Sequence, residues 1–132
     1  MPAKAASFKK ILSIDGGGIK GVFPASFLST VEDSIKGKVS DHFDLIVGTS
    51  TGGIIALALG LGFSAKEILE FYEQYGPKIF KGNKFLSFIR QLGYAKYEHK
   101  DLKLALINTF GDKKIGQSKN RLVIPSLNLE TG

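Results

Sequence analysis

The sequence predicts an α/β fold on a parallel sheet, and two glycine-rich turns with a helical pattern between them predict it. Phe8 to Ile14 is a β-forming run that leads into Asp15-Gly16-Gly17-Gly18-Ile19-Lys20-Gly21. A second run, Asp41 to Val47, leads into Gly48-Thr49-Ser50-Thr51-Gly52. Apolar residues recur at helical spacing between the two, so the first half of the chain reads as strand, helix, strand. Such a connection joins parallel strands and is right-handed. Both glycine turns then fall at the carboxyl ends of neighbouring strands, where open α/β sheets bind ligands.

Each element follows from local pattern. Ile19, Val22, Phe23, Phe27, Leu28, Val31 and Ile35 form the stripe of an amphipathic helix, with Pro24 tolerated in its early turns. Lys36 and Gly37 supply a basic last turn and a left-handed stop. Gly53 to Leu59 is apolar throughout and reads as a buried helix. Ser64-Ala65-Lys66-Glu67 is a capping box that opens a helix from about Ala65 to Tyr75, with Ile68, Leu69, Tyr72 and Tyr75 inward and Gly76-Pro77 closing it. From Lys78 to Lys100 cations (Lys81, Lys84, Arg90) alternate with aromatics (Phe85, Phe88, Tyr94), which suits an interfacial flap or aromatics packed beneath a loop. Asp101 to Phe110 is a short helix stopped by Gly111. Arg121 to Leu129 is a third strand whose Pro125 points to an edge or a bulge. The sheet is expected to continue beyond Gly132, so the chain reads as a domain truncated at its C-terminus.

With 132 residues and 43% hydrophobic content the chain has enough apolar mass for a core, as one domain or part of one. It has no cysteine, which excludes disulfides and thiolate chemistry and permits a reducing compartment. Met1 to Ser7 lacks the apolar core of a signal peptide and reads as a flexible tail. No apolar run reaches the roughly 18 to 20 residues of a membrane span. The expectation is a cytoplasmic protein able to touch a membrane peripherally. The formal charge of +6 favours an anionic partner such as a phospholipid surface, or is a solvated basic face. No zinc-finger spacing, basic heptad helix or RNA-binding aromatic signature accompanies it, so nucleic acid is not expected.

Two motifs carry chemistry. Gly48-x-Ser50-x-Gly52 between strand and helix has the form of a nucleophile elbow: flanking glycines permit a sharp turn that holds the serine exposed at a helix N-terminus. Gly16-x-Gly18-x-x-Gly21 also fits a dinucleotide loop, but that fold wants an acidic residue at the end of the second strand. Asp41 and Asp44 stand at its start. A Walker loop is excluded because no Gly-Lys-Ser or Gly-Lys-Thr follows. The glycines serve equally as an oxyanion hole beside Ser50, or as a tight turn packed on the sheet. A non-catalytic module that binds a phosphate or nucleotide is the rival reading.

Together, Asp15 to Gly21 and Gly48 to Gly53, about 30 residues apart, closely resemble the paired motifs of the patatin-like phospholipase family, from about Lys10 onward. The resemblance implies a three-layer parallel-sheet core and acyl-ester hydrolysis of phospholipid or other lipid esters. It also implies a Ser-Asp dyad with no histidine, metal or cofactor. It matches Ser50 to the nucleophile and Gly16, Gly17, Gly18 and Gly21 to the oxyanion loop. Some bacterial members are nucleotide-activated, membrane-degrading effectors in phage defence. The family's aspartate belongs to a downstream Asp-Gly-Gly or Asp-Gly-Ala, and the only Asp-Gly here is Asp15-Gly16 in the oxyanion loop. Asp101 and Asp112 lack the following glycines, and His42 and His99 are poor candidates for a base. The dyad aspartate is therefore expected outside this chain, which by itself should be nearly inactive.

Overall fold

A computed structural model describes residues 9–80 and 100–128. The N-terminal tail, most of the basic aromatic stretch with His99, and residues 129–132 lie outside the described residues. Element order is β1 (Ile11–Ile14), α1 (Val22–Ile35), β2 (Leu45–Gly48), α2 (Thr51–Gly60), α3 (Ala65–Ile79), α4 (Lys100–Phe110) and β3 (Arg121–Val123). Short 3-10 turns at Gly18–Gly21, Val39–His42 and Ile115–Gln117 link them.

The three strands form one parallel sheet in the order β1-β2-β3. Ile11 lies opposite Leu45 and Leu45 opposite Arg121, so all three strands start level. Two side-chain clamps set that register. Asp44 accepts hydrogen bonds from Lys10 N (2.9 Å) and Lys9 Nζ (3.1 Å), fixing the entry to β1. The Asn120 amide donates to the Ser40 and Phe43 carbonyls at 2.9 and 2.8 Å, fixing the entry to β3.

Strand residues alternate between faces. Leu12, Ile14, Ile46 and Leu122 join the core with α2, the helix nearest the sheet. Eight of the ten α2 residues are buried, which explains its uniformly apolar sequence: it has no solvent face to mark. The alternate face, with Ile11, Arg121 and Val123, is exposed.

Several boundaries differ from expectation. The second strand starts at Leu45, because Val39–His42 forms a 3-10 turn. The third strand ends at Val123, ahead of Pro125. Lys36, not Gly37, takes the left-handed conformation that ends α1 (φ 51°). Gly76-Pro77 does not close α3, which runs to Ile79. Gly76 lies against Ile19, whose Cδ1 would be 2.6 Å from a Cβ there, and Ile79 and Phe80 still pack on the core. That packing outweighs the one backbone bond that proline forfeits. The apolar stripe of α1 is only partly used: Ala25 and Leu28 are buried, whereas Phe23 and Phe27 remain 75% and 61% exposed.

Candidate functional site

The site is built where β1 and β2 end together. Ile14 pairs with Gly48, and beyond it Thr49 N donates to the Ile14 carbonyl at 3.3 Å, so the two turns leave the sheet side by side. Ser50 then occupies φ 53°, ψ −121°, a conformation that favours glycine. Such a backbone costs on the order of 1 to 3 kcal/mol and persists only where its surroundings over-determine it. Its carbonyl accepts from Gly53 N (2.9 Å) and Ile54 N (3.2 Å), which starts α2 directly behind it. Gly48 and Gly52 make the turn sterically possible: a Cβ on Gly52 would run into the Ile14 carbonyl, and one on Gly48 into the Gly52 backbone. The Ser50 side chain is exposed, and no hydrogen bond to its hydroxyl is found among the described residues.

The glycine loop meets this elbow through two threonines. Gly16 lies against Ser50 so closely that an added Cβ would be 2.9 Å from Ser50 Cβ. Its N–H donates to Thr49 Oγ1, and the Gly17 N–H donates to Thr51 Oγ1, each at 3.1 Å. Gly18, at φ 61°, keeps an amide with no acceptor among the described residues. Gly21 is placed differently from the other three. It makes room for Tyr72, whose Cζ would be 2.9 Å from an added Cβ.

Tyr72 completes the brace. It is fully buried, and its hydroxyl donates to the Thr51 carbonyl at 2.9 Å. Burial pushes its phenol far above the ordinary value of 10.0. Tyr72 therefore props Gly21 from below while holding Thr51, whose own hydroxyl holds Gly17. Thr49, Thr51 and Tyr72 are the positioning residues that motif reading passes over. Their signals are hydroxyls on both sides of the serine and an inward tyrosine, whose O–H must find a partner when buried.

The remaining candidates stand elsewhere. His42 ends the turn that precedes β2, at the opposite end of that strand from Ser50. Asp101 lies in the first turn of α4, and Asp112 in the turn that follows it. A shallow depression at the end of α4, bordered by Asn108, Asp112, Lys113 and Gln117, includes no residue of the elbow or the glycine loop.

A strained serine between strand and helix, braced against a glycine loop on the adjacent parallel strand, gives this α/β protein the strand-turn-helix geometry of a G-x-S-x-G elbow. The chain belongs to the patatin-like phospholipase family, whose family model matches residues 12–131. It is 37% identical over 125 residues to a cGAMP-activated phospholipase of Pseudomonas aeruginosa, an alignment covering 92% of this chain and 37% of the relative. A cGAMP-activated phospholipase of Vibrio cholerae is 36% identical, over 93% of this chain and 39% of the relative. Patatin-like protein 2 of Arabidopsis thaliana is 34% identical, over 98% of this chain and 36% of its own length. The chain thus spans little more than a third of these relatives.

Proposed function

We propose that this chain carries the nucleophile half of a lipid acyl hydrolase. Ser50 attacks the ester carbonyl, and the glycine loop holds the oxyanion that forms. The observation that supports this most is the Ser50 backbone, held in a glycine conformation so that an exposed hydroxyl projects beside that loop. Of Gly16, Gly17 and Gly18, Gly18 alone has an amide without an acceptor among the described residues; Gly16 and Gly17 already serve the threonine hydroxyls and act by holding the loop in place. An aspartate supplied from outside these residues takes the serine proton. Without it the chain lacks general-base assistance, typically worth about 100- to 10,000-fold.

The rival reading is a non-catalytic module that binds a phosphate or nucleotide. It needs several amides turned together toward the anion, whereas Gly16 and Gly17 are taken up by Thr49 and Thr51. A fluorophosphonate probe and phospholipid turnover separate the two, applied to this chain and to a chain extended to the length of its relatives. The extended chain should label and turn over, and its Ser50→Ala variant should do neither. Turnover unchanged by Ser50→Ala would end the serine mechanism, and robust turnover by the short chain would end the missing-base argument. Because two bacterial relatives are named as cGAMP-activated, the assay is run with and without that dinucleotide.

A further inference from the structure

The two threonines that flank Ser50 hold the glycine loop by the same contact but stand in different surroundings. Thr49 Oγ1 accepts from Gly16 N and Thr51 Oγ1 from Gly17 N, each at 3.1 Å. Thr51 is buried, at 4% exposure, whereas Thr49 is exposed beside the exposed Ser50. A hydroxyl that accepts still has a proton to donate, and the Thr49 O–H has no acceptor among the described residues. The point that a Cβ on Gly16 would occupy is 2.9 Å from Ser50 Cβ and 3.4 Å from Thr49 Oγ1, so both side chains converge on Gly16. An amide that donates to a hydroxyl oxygen polarises the O–H on its far side and strengthens the next hydrogen bond in the chain. The polarity of the Gly16 amide is therefore not spent on Thr49; it is passed on through that hydroxyl.

We infer that the Thr49 hydroxyl is a catalytic residue, a side-chain donor that binds the oxyanion of the lipid ester and relays the Gly16 amide to it. The role rests on the serine-hydrolase reading and adds to that site a group outside the glycine loop. Ser50 Oγ bonds to the ester carbon as the carbonyl π pair moves onto oxygen, and the serine proton passes to the aspartate supplied from outside these residues. The Thr49 O–H donates to the new oxyanion and keeps its own proton. When the oxyanion collapses, the ester C–O bond breaks and the leaving alcohol takes the proton from the aspartate.

The test uses the chain extended to the length of its relatives, with thermal unfolding followed for every variant. Thr49→Val keeps the branched shape and removes the hydroxyl. Its kcat should fall by about 100- to 1000-fold with KM little changed, as for the loss of one oxyanion donor, and Thr49→Ser should recover most of it. Affinity for a fatty-acyl trifluoromethyl ketone, whose adduct with the serine carries the oxyanion, should fall in parallel with kcat/KM. Affinity for the ether analogue of the phospholipid, which has no carbonyl, should stay as it is. Thr51→Val cuts the matching tie to Gly17 at a buried position and should cost far less. Should Thr49→Val fail to fold, Thr49→Ala and Thr49→Ser are compared by the same readouts. Equal losses from Thr49→Val and Thr51→Val would overturn the inference, because the hydroxyls would then only hold the loop. So would a parallel loss of ketone and ether affinity. Turnover that survives Ser50→Ala removes the hydrolase reading and this inference with it. Turnover lost in Ser50→Ala but intact in Thr49→Val removes the inference alone.

Discussion

Tyr72→Phe isolates the brace between α3 and the two turns. The substitution keeps the ring against Gly21 and removes only the hydroxyl that donates to the Thr51 carbonyl at 2.9 Å. A buried acceptor left unpaired costs about 1 to 3 kcal/mol, and because the Thr51 carbonyl keeps its place in the helical ladder of α2 the loss should be near 1 kcal/mol. The effect also depends on pH. Burial raises the folded-state value of the phenol above its ordinary 10.0. Its contribution to stability is therefore fully present below that value and is lost as pH rises above it, because the unfolded chain releases a proton that the folded chain retains. The slope is at most about 1.4 kcal/mol per pH unit. Urea unfolding followed by circular dichroism should show the variant less stable at neutral pH. The two stability curves should then converge and meet roughly one unit above pH 10, since the variant has no phenol at this position. Parallel curves across that range, or a variant as stable as the parent at neutral pH, would refute the placement of Tyr72.

Other perturbations test the neighbouring contacts. Gly52→Ala drives a Cβ into the Ile14 carbonyl, where backbone cannot give way, and should cost about 3 kcal/mol or more in thermal unfolding. Gly116→Ala, whose added Cβ meets no atom of the described residues within 4 Å, is its neutral control. Ser64→Ala removes the α3 capping box, in which Ser64 Oγ accepts from Glu67 N at 3.2 Å, and should cost about 1 kcal/mol. The Ser64 backbone and hydroxyl also hold the Glu67 carboxyl below its ordinary value of 4.5, so that contribution is present above 4.5 and fades as pH falls; Glu67→Gln should flatten the acid limb of the stability curve. Glu32 accepts from Val39 N at 2.9 Å and Ala65 N at 2.7 Å, tying α1 to the 3-10 turn before β2 and to the start of α3. Glu32→Ala should cost roughly 2 to 3 kcal/mol, and Glu32→Gln, which keeps one acceptor oxygen, less.

Where sequence pattern and tertiary demand agree, the fold is legible from residues alone. The strand-turn-helix around Ser50 is such a case, because glycines, serine and apolar runs all point to one geometry. So is the α3 start, where Ser64 and Glu67 satisfy each other within one turn. Pattern reading misleads where packing decides between equals. Gly76-Pro77 looks like a stop, yet the helix continues because Gly76 accommodates Ile19. The apolar row of α1 resembles a core stripe, but the helix buries a narrower arc against α3 than its sequence offers. At the site, periodicity identifies the serine and the glycines but not what occupies their amides. That Gly16 and Gly17 serve Thr49 and Thr51, and that Gly21 serves Tyr72, are facts of three-dimensional proximity between segments far apart in the chain.

The backbone of Ser50 has a consequence for anyone who engineers this protein. At φ 53° a side chain is tolerated against its preference, so glycine at the same position would relieve about 1 kcal/mol or more. A library sorted only for heat resistance should therefore enrich Ser50→Gly, and in doing so discard the hydroxyl on which the proposed chemistry depends. Ruggedness and reactivity compete for one residue, and any selection applied to this chain has to score both at once.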